Sequence, residues 1–150
     1  MRIIREVREN DLENIKKIAS TAIRECVADS DELHRLLTDD ICLSFEWWKS
    51  NKEQSLHLLC EENGMVLGVI LVKEYWNLSS LFVDPSLHCT GVGRDLINEA
   101  IAICSTKSPK GCLKLNSSNY AVPFYKKVGF TQTGKGIDRP GGCVPFEYNF

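Results

Sequence analysis

Two apolar runs, Leu56 to Cys60 and Met65 to Val72, flank the tetrapeptide Glu61-Glu62-Asn63-Gly64, and this arrangement constrains the chain more than any other. Asn-Gly tolerates positive φ at both turn positions, so the runs are predicted to close as a β-hairpin. Tyr75 to Val83, ended by Asp84-Pro85, supplies a third strand of the same meander. Upstream, Ile3 to Val7 is short and interleaved with Arg2, Arg5 and Arg8, which suits an edge strand. Asn10 followed by Glu13 resembles a capping box, and Leu12, Ile15, Ile18, Ala19, Ala22 and Ile23 recur at helical spacing, predicting a helix over about 11–26. Ser30-Asp31-Glu32 can cap a second helix bearing Leu33, Leu36 and Leu37, with Phe45 to Trp48 in another turn. Downstream, a helix is predicted from Gly91 to about Thr106, a strand over Cys112 to Leu115, a short helix ending at Val128-Gly129, and closing strands over Phe130 to Thr133 and Val144 to Phe150. This order predicts an α/β sandwich around a mixed sheet.

The 150 residues, 43% of them hydrophobic, suit one domain spanning 1–150. A chain of this size buries roughly 70% of the surface it exposes unfolded, so neither disulfides nor a structural metal are needed. The longest apolar run is far short of the roughly 20 residues of a bilayer span, and the charged start Met1-Arg2-Ile3-Ile4-Arg5-Glu6 argues against a secretory signal. Seven cysteines, an odd number without a C-x-x-C pair, read as reduced thiols in a cytoplasmic protein. His57 and Cys60 stand three apart in a predicted strand and point to opposite faces, so they cannot clamp one ion, and no metal is expected. A net charge of −2 argues against nucleic-acid partners. Residues 1–84 carry −6 and residues 85–150 carry +4, so an anionic ligand should prefer the second part.

That second part holds His88-Cys89-Thr90-Gly91-Val92-Gly93-Arg94 between a strand and a helix. Two glycines let backbone approach a ligand, and a helix start leaves N–H groups without intrahelical partners, so the loop can grip a phosphate through its amides. The third glycine of a dinucleotide fingerprint is replaced by Leu96, which disfavours that alternative. In Asn116 to Phe130, Pro123 requires a helix start close before it, with Ser118 or Asn119 as cap, and Gly129 stands where a left-handed C-cap is wanted. Phe130 can then fold back on Phe124 and Tyr125.

These residues resemble the GNAT superfamily of N-acetyltransferases. Its loop signature, [Q/R]-x-x-G-x-[G/A] after the fourth strand, corresponds to His88 through Gly93, and its F-Y-x-x-x-G-F helix to Phe124 through Phe130, with Asn116, Ser117 and Ser118 opening the second motif. The resemblance implies a mixed central sheet of about six to seven strands, a splayed fourth and fifth strand, and helices on both faces. It implies acetyl-CoA as acyl donor, with pantetheine along Leu81, Phe82 and Val83, pyrophosphate on the amides of Cys89, Thr90, Gly91, Val92, Gly93 and Arg94 beside His88, and Asn116, Ser118 and Phe124 along the same channel. The acceptor would be a primary amine, on a small molecule or a protein; membrane partners are not expected, and a homodimer is left open. Two departures stand out. His88 replaces the usual Gln or Arg, and Asn77 stands where several members place a catalytic carboxylate.

The implied reaction is direct amine attack on the thioester, which requires a base, stabilisation of the oxyanion and a proton for the departing thiolate. Tyr125 is the candidate acid. For the base the sequence offers Glu74, His57, Glu147, or a water held by Asn77 and Ser79; Cys89 as a covalent nucleophile is disfavoured because it lies where phosphates are expected. Asp29, Asp31, Glu32, Asp39 and Asp40 could attract a cationic acceptor, and Trp47, Trp48 and Trp76 could wall its pocket. The competing readings are a non-catalytic acyl-CoA sensor and an interaction module with structural glycines.

Overall fold

A computed structural model describes residues 1–150. Seven strands, β1 (Arg2–Glu6), β2 (Ser55–Glu62), β3 (Met65–Lys73), β4 (Asn77–Val83), β5 (Cys112–Ser117), β6 (Thr131–Gln132) and β7 (Val144–Asn149), form one sheet in the order β1-β2-β3-β4-β5-β7-β6. The helices are α1 (Leu12–Cys26), α2 (Asp31–Lys49), α3 (Val92–Lys107) and α4 (Val122–Lys127). The β2–β3 turn has positive φ at Asn63 and Gly64, as the hairpin signal requires.

β2 and β3 are apolar without alternation because both faces are covered. Leu58, Cys60, Ile70 and Val72 pack with Leu96, Ile97 and Ala100 of α3 in the larger core, which continues through Leu113 and Leu115 to Tyr125 and Phe146. On the opposite face Leu59, Val69 and Leu71 pack with Ile15 of α1 and with Phe45 and Trp48 of α2. His57 lies on this second side, its ring edge-to-face against Trp48, whereas Cys60 belongs to the first, so the pair faces apart as strand geometry demands.

Four local expectations need correction. α2 is a single 19-residue helix that carries Phe45 to Trp48 in its body; Ser30 caps it by accepting the Leu33 N–H. The turn before α1 is organised by Asp11, not by an Asn10 capping box: its carboxylate accepts the Arg8 N–H at 2.7 Å and both arms of Arg5 at 2.9 Å. That pairing holds the Asp11 carboxyl below the usual range, against the opposing effect of burial. β4 starts at Asn77 because Glu74 and Tyr75 take positive φ in a turn. The N-cap of α4 is Ala121; Ser118 acts one turn earlier, its hydroxyl accepting the Ala121 N–H. At the other end Gly129 has φ 101°, and the Phe130 N–H returns to the Tyr125 carbonyl at 3.0 Å.

Candidate active site

β4 and β5 run parallel yet pair only at Asn77 and Lys114; the Lys114 N–H donates to the Trp76 carbonyl at 2.8 Å. Beyond that point the strands diverge, and Leu78 to Val83 pair with β3 alone. The β3–β4 register slips by one residue at Ser79, a bulge of the kind that bends and twists a strand. The gap opens into a cleft of about 800 Å³, within the range of small-molecule sites. One bank is β4 and the loop before α3, the other β5 and α4, and Ile23 of α1 and Asp40, Ile41 and Ser44 of α2 add to the lining.

The loop entering α3 is shaped by Cys89 at φ 66° and Gly91 at φ 95°. The amides of Cys89, Gly91, Val92, Gly93 and Arg94 meet no protein acceptor, and the first intrahelical bond is Asp95 N–H to the Gly91 carbonyl. A Cβ on Gly93 would lie 3.1 Å from the Phe124 ring, so glycine there lets α3 and α4 approach across the cleft. This cradle of outward N–H groups at a helix start fits a phosphate.

Of the residues expected to hold a cofactor, Leu81, Phe82, Val83, His88, Cys89, Gly91, Gly93, Arg94, Asn116, Ser118 and Phe124 line the cleft. Thr90 and Val92 do not. The Thr90 N–H and hydroxyl both donate to the Leu87 carbonyl, which folds the side chain of this exposed residue back onto its own turn, and the Val92 side chain is wholly buried in the core. Only the Val92 amide is left for a ligand. The His88 side chain is also engaged: Nε2 donates to the Val83 carbonyl at 3.2 Å, so Nδ1 accepts from the Tyr120 hydroxyl at 3.0 Å. The Cys26 thiol beside Tyr120 pushes that phenol's pKa up.

Tyr125 projects from α4 into the core edge of the cleft, packed against Phe124, Phe130 and Phe146. The hydroxyl makes no hydrogen bond within the protein, and the one fully enclosed side-chain polar atom without a partner is His57 Nδ1. The Tyr125 oxygen therefore opens on the cleft. Burial pushes the phenol's pKa up, so it carries its proton throughout the neutral range.

Glu74, His57 and Glu147 lie away from the cleft. Glu74 accepts the Trp76 indole N–H, Glu147 pairs with Lys114, and His57 sits under α2. Ser79 lines the cleft; Asn77 stays at the closed end of the split. Of the acidic residues near α2, Asp40 alone reaches the cleft, while Asp29 and Asp31 border a separate recess with Arg24 and His34. Trp48 is core, and Trp47 and Trp76 lie under Lys73 and Lys110 respectively. Sequence reading did not single out Ser44 or Tyr120 as cleft residues. Leu37, Asp40, Ile41 and Ser44 fall on one helical face, and that spacing was the available signal.

The profile of the acetyltransferase (GNAT) domain matches residues 12–144. The chain belongs to the GNAT family. Among GNAT relatives, the peptidyl-lysine N-acetyltransferase YjaB of Escherichia coli is 34% identical over 95 residues, 62% of this chain and 61% of that protein. The chain thus matches less than two thirds of that curated relative's length. A GNAT protein of Rhodopseudomonas palustris superposes over 100% of this chain and 96% of its own with TM-score 0.81 at 16% identity. PaiA N-acetyltransferase of Thermoplasma acidophilum, solved with coenzyme A, covers 100% and 99% with TM-score 0.79 at 20% identity. At such identities the likeness establishes the fold, including the mixed sheet with helices on both faces.

Proposed function

We propose that the chain is an acetyl-CoA-dependent N-acetyltransferase acting on a primary amine in a ternary complex. One observation carries the reading. A sheet parted along β4 exposes strand backbone beside a helix start whose amides have no acceptor, and a proton-bearing phenol opens on the same cleft. Leu81, Phe82 and Val83 offer main-chain groups to an amide-rich arm, in the manner of an added strand. Cys89, Gly91, Val92, Gly93 and Arg94 offer N–H groups to a pyrophosphate, and the excess of positive charge after residue 84 favours the same anion. Asn116, Ser118 and Phe124 line the opposite bank. PaiA, which shares the fold, was solved with coenzyme A, and this supports the assignment of donor.

Bound there, acetyl-CoA would supply an activated thioester whose acetyl group passes to nitrogen. Tyr125 Oη holds a proton that it can deliver to a thiolate arriving in the cleft. Asp40 is the one carboxylate among the lining residues, and together with the Ser44 and Ser79 hydroxyls it offers a water-mediated route for the proton shed by the amine. The E. coli relative is named for acting on peptidyl-lysine, which supports an amine acceptor.

The test is calorimetry with acetyl-CoA followed by thiol release over a panel containing a lysine peptide and an amino sugar. Tyr125→Phe keeps the ring packing, and is expected to bind acetyl-CoA as the wild type does while turnover falls on the order of a hundredfold. Unchanged turnover would remove Tyr125 from the reaction. Binding without turnover on any amine would favour a sensor, a reading supported by the amide of Asn77 in place of a carboxylate.

A further inference from the structure

Arg2 belongs to β1, at the far edge of the sheet, yet it crosses 88 residues of sequence to reach the loop entering α3. Its Nη1 donates to the Thr90 carbonyl at 2.8 Å and its Nη2 to the Thr90 hydroxyl at 3.1 Å. Nε lies 3.7 Å from a Glu62 carboxylate oxygen, on the residue paired with Arg2 across the β1–β2 ladder. Thr90 in turn closes its own N–H and hydroxyl proton onto the Leu87 carbonyl at 3.2 and 2.6 Å. Both acceptors of Thr90 are therefore tied to Arg2 and both donors to Leu87, and the residue cannot rotate without breaking four bonds.

Thr90 stands between Cys89 and Gly91, the two positions with left-handed backbone. For a non-glycine residue such as Cys89 that conformation is unfavourable and persists only where its surroundings impose it. The alternation of left-handed residues about a tethered Thr90 leaves the amides on either side without protein partners. We infer that Arg2 is a positioning residue for the anion loop: it fastens Thr90 from behind and so holds the flanking N–H groups ready for a phosphate. A fork of two parallel N–H donors does this in a way that a single ammonium cannot.

The inference rests on the acetyl-CoA reading, and the experiment separates the two. Calorimetric titration of Arg2→Ala with coenzyme A is expected to give a Kd raised roughly five- to tenfold, with kcat at saturating acetyl-CoA unchanged because neither Tyr125 nor β4 is touched. Arg2→Lys keeps the charge and the alkyl stem, so it should recover only part of the loss; it also stands in if Arg2→Ala loosens the β1 edge. Thr90→Val removes the hydroxyl from the same tether, so its effect combined with Arg2→Ala should be well below additive. Wild-type affinity in Arg2→Ala, or full additivity in the double variant, overturns the positioning role. A wild-type chain that does not bind coenzyme A overturns the donor assignment and this inference together.

Discussion

His57 shows how one residue can couple packing to pH. It is 7% exposed, its Nδ1 has no partner, and its ring stands edge-to-face against Trp48 at 4.8 Å and Phe45 at 5.9 Å. Burial lowers its pKa to about 3, with the Asp11 carboxylate opposing the shift. The unfolded chain binds a proton near pH 6.5 that the folded chain refuses until about 3. Stability is therefore fully present above pH 6.5, declines as pH falls below that value, and stops declining below about 3. The loss by pH 4.5 is at most about 3 kcal/mol. His57→Leu removes both the titration and the orphaned nitrogen. Urea denaturation at pH 7.5 and 4.5 should show the wild type losing about 2 kcal/mol more than the variant between the two. Equal losses would assign the acid sensitivity to other groups. Asp11, whose pKa is depressed by its bond to Arg5, adds its own loss only below the usual carboxylate value of 3.8.

At the scale of elements, the start of α3 depends on backbone that a side chain opposes. Gly91 has φ 95° and open space around it, so Gly91→Ala meets no clash and suffers only the left-handed penalty, about 1 kcal/mol. The expected result is a fall of about that size in urea stability and at least a tenfold weaker affinity for acetyl-CoA, because the loop relaxes toward a turn that no longer presents its amides. Full affinity would mean that the loop geometry is dispensable. This loop was legible in the sequence, as were the Asn63-Gly64 hairpin and the end of α4 at Gly129, because each depends on residues adjacent in the chain. The unbroken course of α2 was not legible. Thr38-Asp39-Asp40 interrupts its apolar pattern, and what carries the helix through is packing of Phe45 and Trp48 onto the sheet. The start of β4 was misplaced for a similar reason. Tyr75 has high strand propensity, but its ring hydroxyl bonds the Glu53 carbonyl and the Glu74 N–H bonds the Gln54 carbonyl, and these distant partners fold residues 74 and 75 into a turn. The same limit left Asp40 as one of five acidic candidates; that it alone of them stands on the cleft wall is decided by how α2 lies over the sheet.

Across the whole molecule, the sheet is two half-sheets, β1 to β4 and β5 to β7, joined by one residue pair and by the core that α3 and α4 share with both. Free backbone on the edge of a parted sheet normally needs covering, since an unpaired strand edge invites association. A ligand that lies between β4 and β5 and touches the α3 loop would cover it and tie the halves together. If acetyl-CoA is that ligand and binds the folded chain alone, at a hundred times its Kd it should add about 2.7 kcal/mol of stability and raise Tm by about 5–10 °C for a chain of this size. The size of that shift does not say where the ligand lies, whereas amide exchange does. With acetyl-CoA bound, protection should rise together at Leu78 to Val83 on one bank, at Asn116 and Ser117 on the other, and at Gly91 to Arg94 at the head. If slowing were confined to one bank, the ligand would be lying on a half-sheet, and the parting of β4 from β5 would need a different explanation.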